Sequence, residues 1–110
     1  MNIQEPSFES GIRATALLCP VCNGANLHHE TINTYWRDYE DAESGVHSEC
    51  NDGHTDVNKD MSKNPSPRRD GLFIDMSCED CGELPFALAI FQHKGTTFVS
   101  WVNVTQPAGW

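Results

Sequence analysis

Two short cysteine pairs constrain this chain more than any other feature: Cys19-Pro20-Val21-Cys22 and Cys78-Glu79-Asp80-Cys81. Two residues between thiolates let one tight turn aim both sulfurs at a common point, and two such turns complete a tetrahedron. Four thiolates leave no vacant position, which suits a structural ion and not a catalytic one. The spacing therefore predicts one structural zinc per chain, with Cys19, Cys22, Cys78 and Cys81 as ligands. Gly24 and Gly82 follow the second cysteine of each pair, where a metal knuckle needs a positive backbone dihedral or room beside the ion. The fifth cysteine, Cys50, is left as a free, oxidisable thiol.

A staple is what a chain of this size needs. Its 110 residues, 38% of them hydrophobic, make one domain with a small core. The formal charge of −9 opposes a phosphate backbone and an anionic membrane surface. No apolar run approaches the ~18 residues of a membrane span. The opening MNIQEPSFESG lacks the basic start and apolar stretch of a secretory signal, so the expected location is the cytoplasm, whose reductants keep thiols free.

Patterning predicts an all-β fold with strands near 13–18, 25–36, 71–77, 84–92 and 96–104. A strand flanks each side of the Cys19 to Cys22 turn. GLFIDMS puts Leu72, Ile74 and Met76 on one face and leads into Cys78. LPFALAIFQ and TTFVSWVNV flank His93-Lys94-Gly95 and form a hairpin. Phe86, Leu88 and Ile90 share one face of its first strand; Phe98, Val102 and Val104 share one face of its second. Phe91, Val99 and Trp101 lie on the opposite faces, which the N-terminal strands are expected to cover. Residues 1–11 read as a flexible arm, 12–106 as the single domain, and 107–110 as a tail ending in Trp110. Residues 38–70 hold almost no large apolar side chain and are full of Gly, Ser, Asn, Asp and Pro, so they read as a long polar loop inserted between the knuckles.

CPVC, CEDCG and the strands beside them resemble the zinc-ribbon superfamily, over roughly residues 13–36 and 71–104. The resemblance implies two CxxC knuckles on antiparallel β-hairpins and leaves function open, because ribbons serve many settings. LCPVCNGANLHHE, YEDAESG, NPSPRRDGL, CEDCG and QHKGTTFVSW look like a group of small zinc-ribbon proteins of bacteria and bacteriophages. That group carries no established activity; the likeness implies a phage setting, in which host takeover or anti-defence inhibition is an expected role, by analogy through blocking a nucleic-acid channel of an RNA polymerase or a CRISPR effector. The two turns are also similar to those of rubredoxin, which holds one redox iron, but their order, separation and insertion differ. A four-thiolate site in recombinant material accepts either metal.

Within 38–70, His47, Glu49, Cys50, Asp52, His54 and Asp56 have the residue types of a second metal site or a Cys–His pair; without a rigid frame they read as a solvated loop. Some HNH nucleases combine CxxC knuckles with histidines, here His28, His29 and His54 beside Asn51, but no helix pattern follows Asn51. No catalytic residue is assigned. Residues 30–60 carry nine acids against Arg37 and Lys59, and Lys63, Arg68 and Arg69 follow. The expected function is non-enzymatic binding of a host or partner protein. The candidate surface is Trp36, Asp38, Glu40, Asp41, Glu43, Arg68, Arg69 and Trp101, with nucleic-acid mimicry by the acids. Direct nucleic-acid binding through Arg68, Arg69 and Lys94 is the alternative.

Overall fold

A computed structural model describes residues 3–10 and 15–103, and these are all-β. Residues 13–14, 104 and the tail at 107–110, to which strand ends and a tail were assigned, lie outside the described residues. In chain order the strands are β1 (Ile3–Gln4), β2 (Phe8–Ser10), β3 (Thr15–Leu17), β4 (Leu27–Arg37), β5 (Gly45–Asn51), β6 (His54–Asn58), β7 (Gly71–Cys78), β8 (Gly82–His93) and β9 (Thr96–Asn103). Seven form one antiparallel sheet in the order β1-β9-β8-β7-β4-β5-β6; β2 and β3 pair separately.

The five expected strand regions correspond to β3, β4, β7, β8 and β9. β-branched and aromatic residues in ETINTYW favour the extended backbone of β4. Pro85 is accommodated where the β7–β8 register shifts between Asp75 and Ser77, a bulge that needs no ladder hydrogen bond from it. The arm at 1–11 is corrected: β1 and β2 lie within it, and β1 pairs Ile3 with Val102. That partner is distant in sequence, so no local pattern announces it.

The larger correction is to residues 38–70. Their first half is a β-hairpin, β5–β6, that adds two strands to the sheet beside β4. Asp52 and Gly53 form its two-residue turn with φ of 50° and 78°, the left-handed pair that a type I′ turn requires. The second half, 59–70, is a strap laid over the sheet. Pro65 and Ser66 are fully buried, and Met61 packs on the core cluster of Tyr35, Phe73, Ala87, Ala89, Phe91 and Val102. The strap needs bare backbone beneath it. A Cβ on Gly71 would stand 2.9 Å from both Asn64 Oδ1 and Pro65 Cγ, and one on Gly45 2.8 Å from Met61 Cε.

The two sheet faces therefore have different covers. Ala87, Ala89 and Phe91 face the strap, so the buried face of β8 is the one opposite Phe86, Leu88 and Ile90. On the other face, Trp101 is only 1% exposed and borders a cavity shared with Leu18, Cys19 and Pro20, which fulfils the expected N-terminal cover at that end. Further from the cysteines that face stays open. Val57, Ser48, Thr34, Leu72, Ile90 and Val99 stand in one register row across six strands of it.

Candidate metal centre

The second cysteine pair is placed by a hairpin. Cys78 ends β7 and pairs with Gly82 at the start of β8, so Glu79, Asp80 and Cys81 form the connecting turn. Gly82 takes φ of 79°, as a knuckle requires. The first pair differs from a hairpin: it joins β3, in the small sheet, to β4, in the large one. Here Asn23 supplies the positive φ, at 63°. Gly24 supplies the room, since a Cβ on it would sit 3.3 Å from Cys22 Sγ. The turn is closed by the Cys19 N–H donating to Gly24 O (2.8 Å) and the Asn23 N–H donating to Cys19 O (2.9 Å), while the Val21 N–H points at Cys19 Sγ (3.4 Å).

These two turns bring Cys19, Cys22, Cys78 and Cys81 together, with all four sulfurs within 4.8 Å of one another and Cys22 and Cys78 3.6 Å apart. A tetrahedron with metal–sulfur bonds of ~2.3 Å has sulfurs about 3.8 Å apart, so the cluster is close enough to bind one metal ion. Cys19 and Cys78 are buried; Cys22 and Cys81 are exposed. Burial acts to raise the Cys19 thiol, but backbone N–H groups of Cys22 and Val21 outweigh it and favour the thiolate. Cys81 is pushed up to about 12, first by its hydrogen bond with Cys22 and then by burial. Four adjacent thiols do not ionise together without a cation, and a divalent ion supplies the missing charge. The four sulfurs would fill every position of such an ion.

The other candidates are dispersed. His47 and Cys50 fall on opposite faces of β5, because three positions separate them on a strand. His47 is buried in the strap-side core: its ring stacks on Tyr35 at 4.4 Å, and its nitrogens lie 2.7 Å from Asn33 Oδ1 and 3.0 Å from Asn58 Oδ1. Burial first, then nearby Asp60, holds the Tyr35 phenol neutral. His28 bonds Glu79 (2.9 Å), and His54 is exposed at the start of β6. Among the described residues no helix follows Asn51, and the four cysteines are the one metal-ligating group.

The charged surface is rearranged as well. Arg68 pairs with Asp41 through two hydrogen bonds, one of 2.8 Å, and Arg69 pairs with Glu40. The Arg68 hydrogen bond holds the Asp41 carboxyl below its usual range. Two of the basic residues assigned to a partner thus neutralise two of the assigned acids. Asp38 and Glu43 stay exposed at this corner, Trp36 is 60% exposed on β4, and Trp101 lies in the interior and offers no surface. Acids gather instead around a cavity of about 390 Å³ lined by Glu30, Asp52, Asp75 and Glu83, where burial first, then Glu49, raises the Asp75 carboxyl.

The residue that sequence reading missed is Arg37. Its guanidinium donates to Arg69 O (2.8 Å), Ala42 O (2.5 Å) and Ser66 O (2.8 Å), and its backbone N–H donates to Asp70 Oδ1 (2.7 Å). One side chain ties the strap to β4. No spacing rule marks such a clamp, since its acceptors are backbone carbonyls.

No family model, curated protein or solved structure matches the chain.

Proposed function

We propose that this chain is a zinc ribbon without catalytic activity that binds a protein with a basic surface through its acidic side. The observation that carries the proposal is the four-cysteine cluster, whose sulfurs lie close enough to hold one ion and as a set of four would leave it no position for substrate. Zinc is the reading preferred over iron because a closed four-thiolate site with a structural task needs no redox change. The binding side comprises Glu49, Asp52 and Asp56 of the β5–β6 hairpin with Glu30 and Glu83 beside it. A basic nucleic-acid groove of a host enzyme is the class of partner that such a surface mimics. The pairing of Arg68 and Arg69 with Asp41 and Glu40 counts against direct nucleic-acid binding.

The test is retention of a partner from source-cell lysate on the immobilised zinc-loaded chain, with the partner identified by mass spectrometry. Retention is expected to weaken at least tenfold for the double variant Glu49→Lys, Asp56→Lys. Retention unchanged by that variant, or salt-sensitive binding of single-stranded DNA by the wild type, would overturn the proposal.

A further inference from the structure

The open side of the sheet has a property unusual for so acidic a molecule. The row from Val57 to Val99 and the row on its cysteine side, from Thr55 to Trp101, contain no Asp, Glu, Lys or Arg; the row on the Trp36 side holds one carboxylate, Asp70, which accepts from the Arg37 N–H. The chain as a whole is 21% charged and carries −9. On the opposite face the same strands carry Asp56, Glu49 and Asp75. Side chains alternate along a strand, so the charge of these strands is concentrated on one face.

This side also exposes apolar side chains, set among the neutral Ser48, Thr34, Gln92 and Thr97. Trp36 is 60% exposed, Val57 67%, Val99 40% and Val46 38%. Trp36 forms one wall of a groove of about 210 Å³ that runs past Thr34, Asp70, Leu72, Ile90 and Thr97. Monomeric proteins seldom leave a continuous apolar patch of this kind on view.

We infer that a second copy of this chain occupies the face, with two sheets stacked face to face about a two-fold axis. Three arguments select this occupant. The first is charge: two molecules of −9 approach best through the side whose one carboxylate, Asp70, is already bonded to a backbone N–H, whereas a basic partner is drawn to the acidic side. The second is area. Six strands ~4.8 Å apart and three rows ~7 Å apart span about 30 by 20 Å; less the covered Trp101 corner, two copies bury about 1,000 Å², the least expected of a specific interface. The third is shape. A two-fold interface must be self-complementary, and here a protruding indole stands next to a groove on the same surface, so each copy can seat its Trp36 in the other's groove. Twisted sheets stack in this way about 10 Å apart in β-sandwiches. The inference goes beyond the proposed function, because the acidic side remains outward in the pair.

Sedimentation velocity of the zinc-loaded full chain, from micromolar to several hundred micromolar, tests it. The expected result is a dimer whose dissociation constant falls as salt is raised, since salt screens the repulsion between acidic copies and leaves apolar contact intact. Trp36→Glu and Val57→Lys each weaken it at least tenfold, with zinc content and circular dichroism unchanged. A chain monomeric throughout that range would overturn the inference, and so would a dimer weakened by salt. A dimer broken by Val57→Lys but not by a folded Trp36→Glu variant would mean edge-to-edge pairing through β6 and would overturn it too. Should Trp36→Glu lose zinc, Val99→Lys, on a strand far from β6, takes its place. Lysate binding through the acidic side is measured on the monomeric variants, so failure of the dimer and failure of the proposed function are told apart.

Discussion

Two parts of this molecule do the same job by different chemistry. At one end, four cysteines gather the small β2–β3 sheet, the start of β4 and the β7–β8 turn around one point. At the other, Arg37 gathers the β4–β5 connection and the strap at 59–70 by donating to three carbonyls. Each fixes an irregular segment that has little apolar area of its own. The metal end is announced by spacing, because every ligand must be a particular side chain. The arginine end has no such signature, because its acceptors are backbone oxygens that any sequence provides. A staple is legible only when both of its halves are side chains.

The comparison breaks most sharply at the metal. Cys78→Ser, or a strong chelator, is expected to abolish the cooperative fold, because structural zinc contributes on the order of 10 kcal/mol and small domains have only ~5–15 kcal/mol in total. Thermal melts followed by circular dichroism check this, with Cys50→Ser as the control that keeps one zinc by native mass spectrometry. Arg37→Ala is expected to cost about 3 kcal/mol, since charge-assisted bonds are lost and carbonyls under the strap are stranded. Hydrogen exchange should rise at residues 61–70 while zinc stays bound. Arg37→Lys should recover little, as one ammonium lacks the planar fork that reaches three acceptors. If either arginine variant releases zinc, the two staples are one cooperative unit.

Smaller changes sharpen the boundary of the strap. Gly71→Ala forces a methyl group against Asn64 and Pro65 and is expected to cost about 1–3 kcal/mol in urea denaturation. The smallest effect is electrostatic. Asp75 has a raised folded value, from burial first and then Glu49, so the folded chain holds that proton longer than the unfolded chain does. Stability is therefore lost as pH rises through the raised value, and Asp75→Asn should increase the melting temperature at pH 7. That gain should shrink as pH falls towards the ordinary carboxylate range near ~3.9.

The two kinds of signal also explain what the sequence shows. Cys19, Cys22, Cys78 and Cys81 converge as their spacing implies, and β4, β7, β8 and β9 follow from β-branched and aromatic runs. The β5–β6 hairpin is less visible because Val46 and Val57 are the apolar residues in two strands of polar ones, so periodicity is silent. Its Asp52-Gly53 turn was the available cue, and a two-residue Asp-Gly step is a strong hairpin signal even without alternation. The strap was illegible for another reason. Pro65 and Ser66 are buried by Gly71, Arg37 and the core beneath them, and composition treats Pro and Ser as surface residues. Trp101 carries two incompatible expectations, N-terminal cover and a partner surface, and the structure keeps the cover, from Leu18 to Pro20, and removes the surface.

The pairing of β1 with β9 has a consequence in time. Ile3 leaves the ribosome long before its partner Val102. Cys19 and Cys22 likewise emerge well before Cys78 and Cys81, so an ion captured early would wait half-coordinated. The hairpins with two-residue turns, β5–β6 and β8–β9, close locally and fast, whereas the β4–β7 ladder must enclose everything between them. Synthesis thus delivers preformed hairpins first and the ladders that enclose them afterwards.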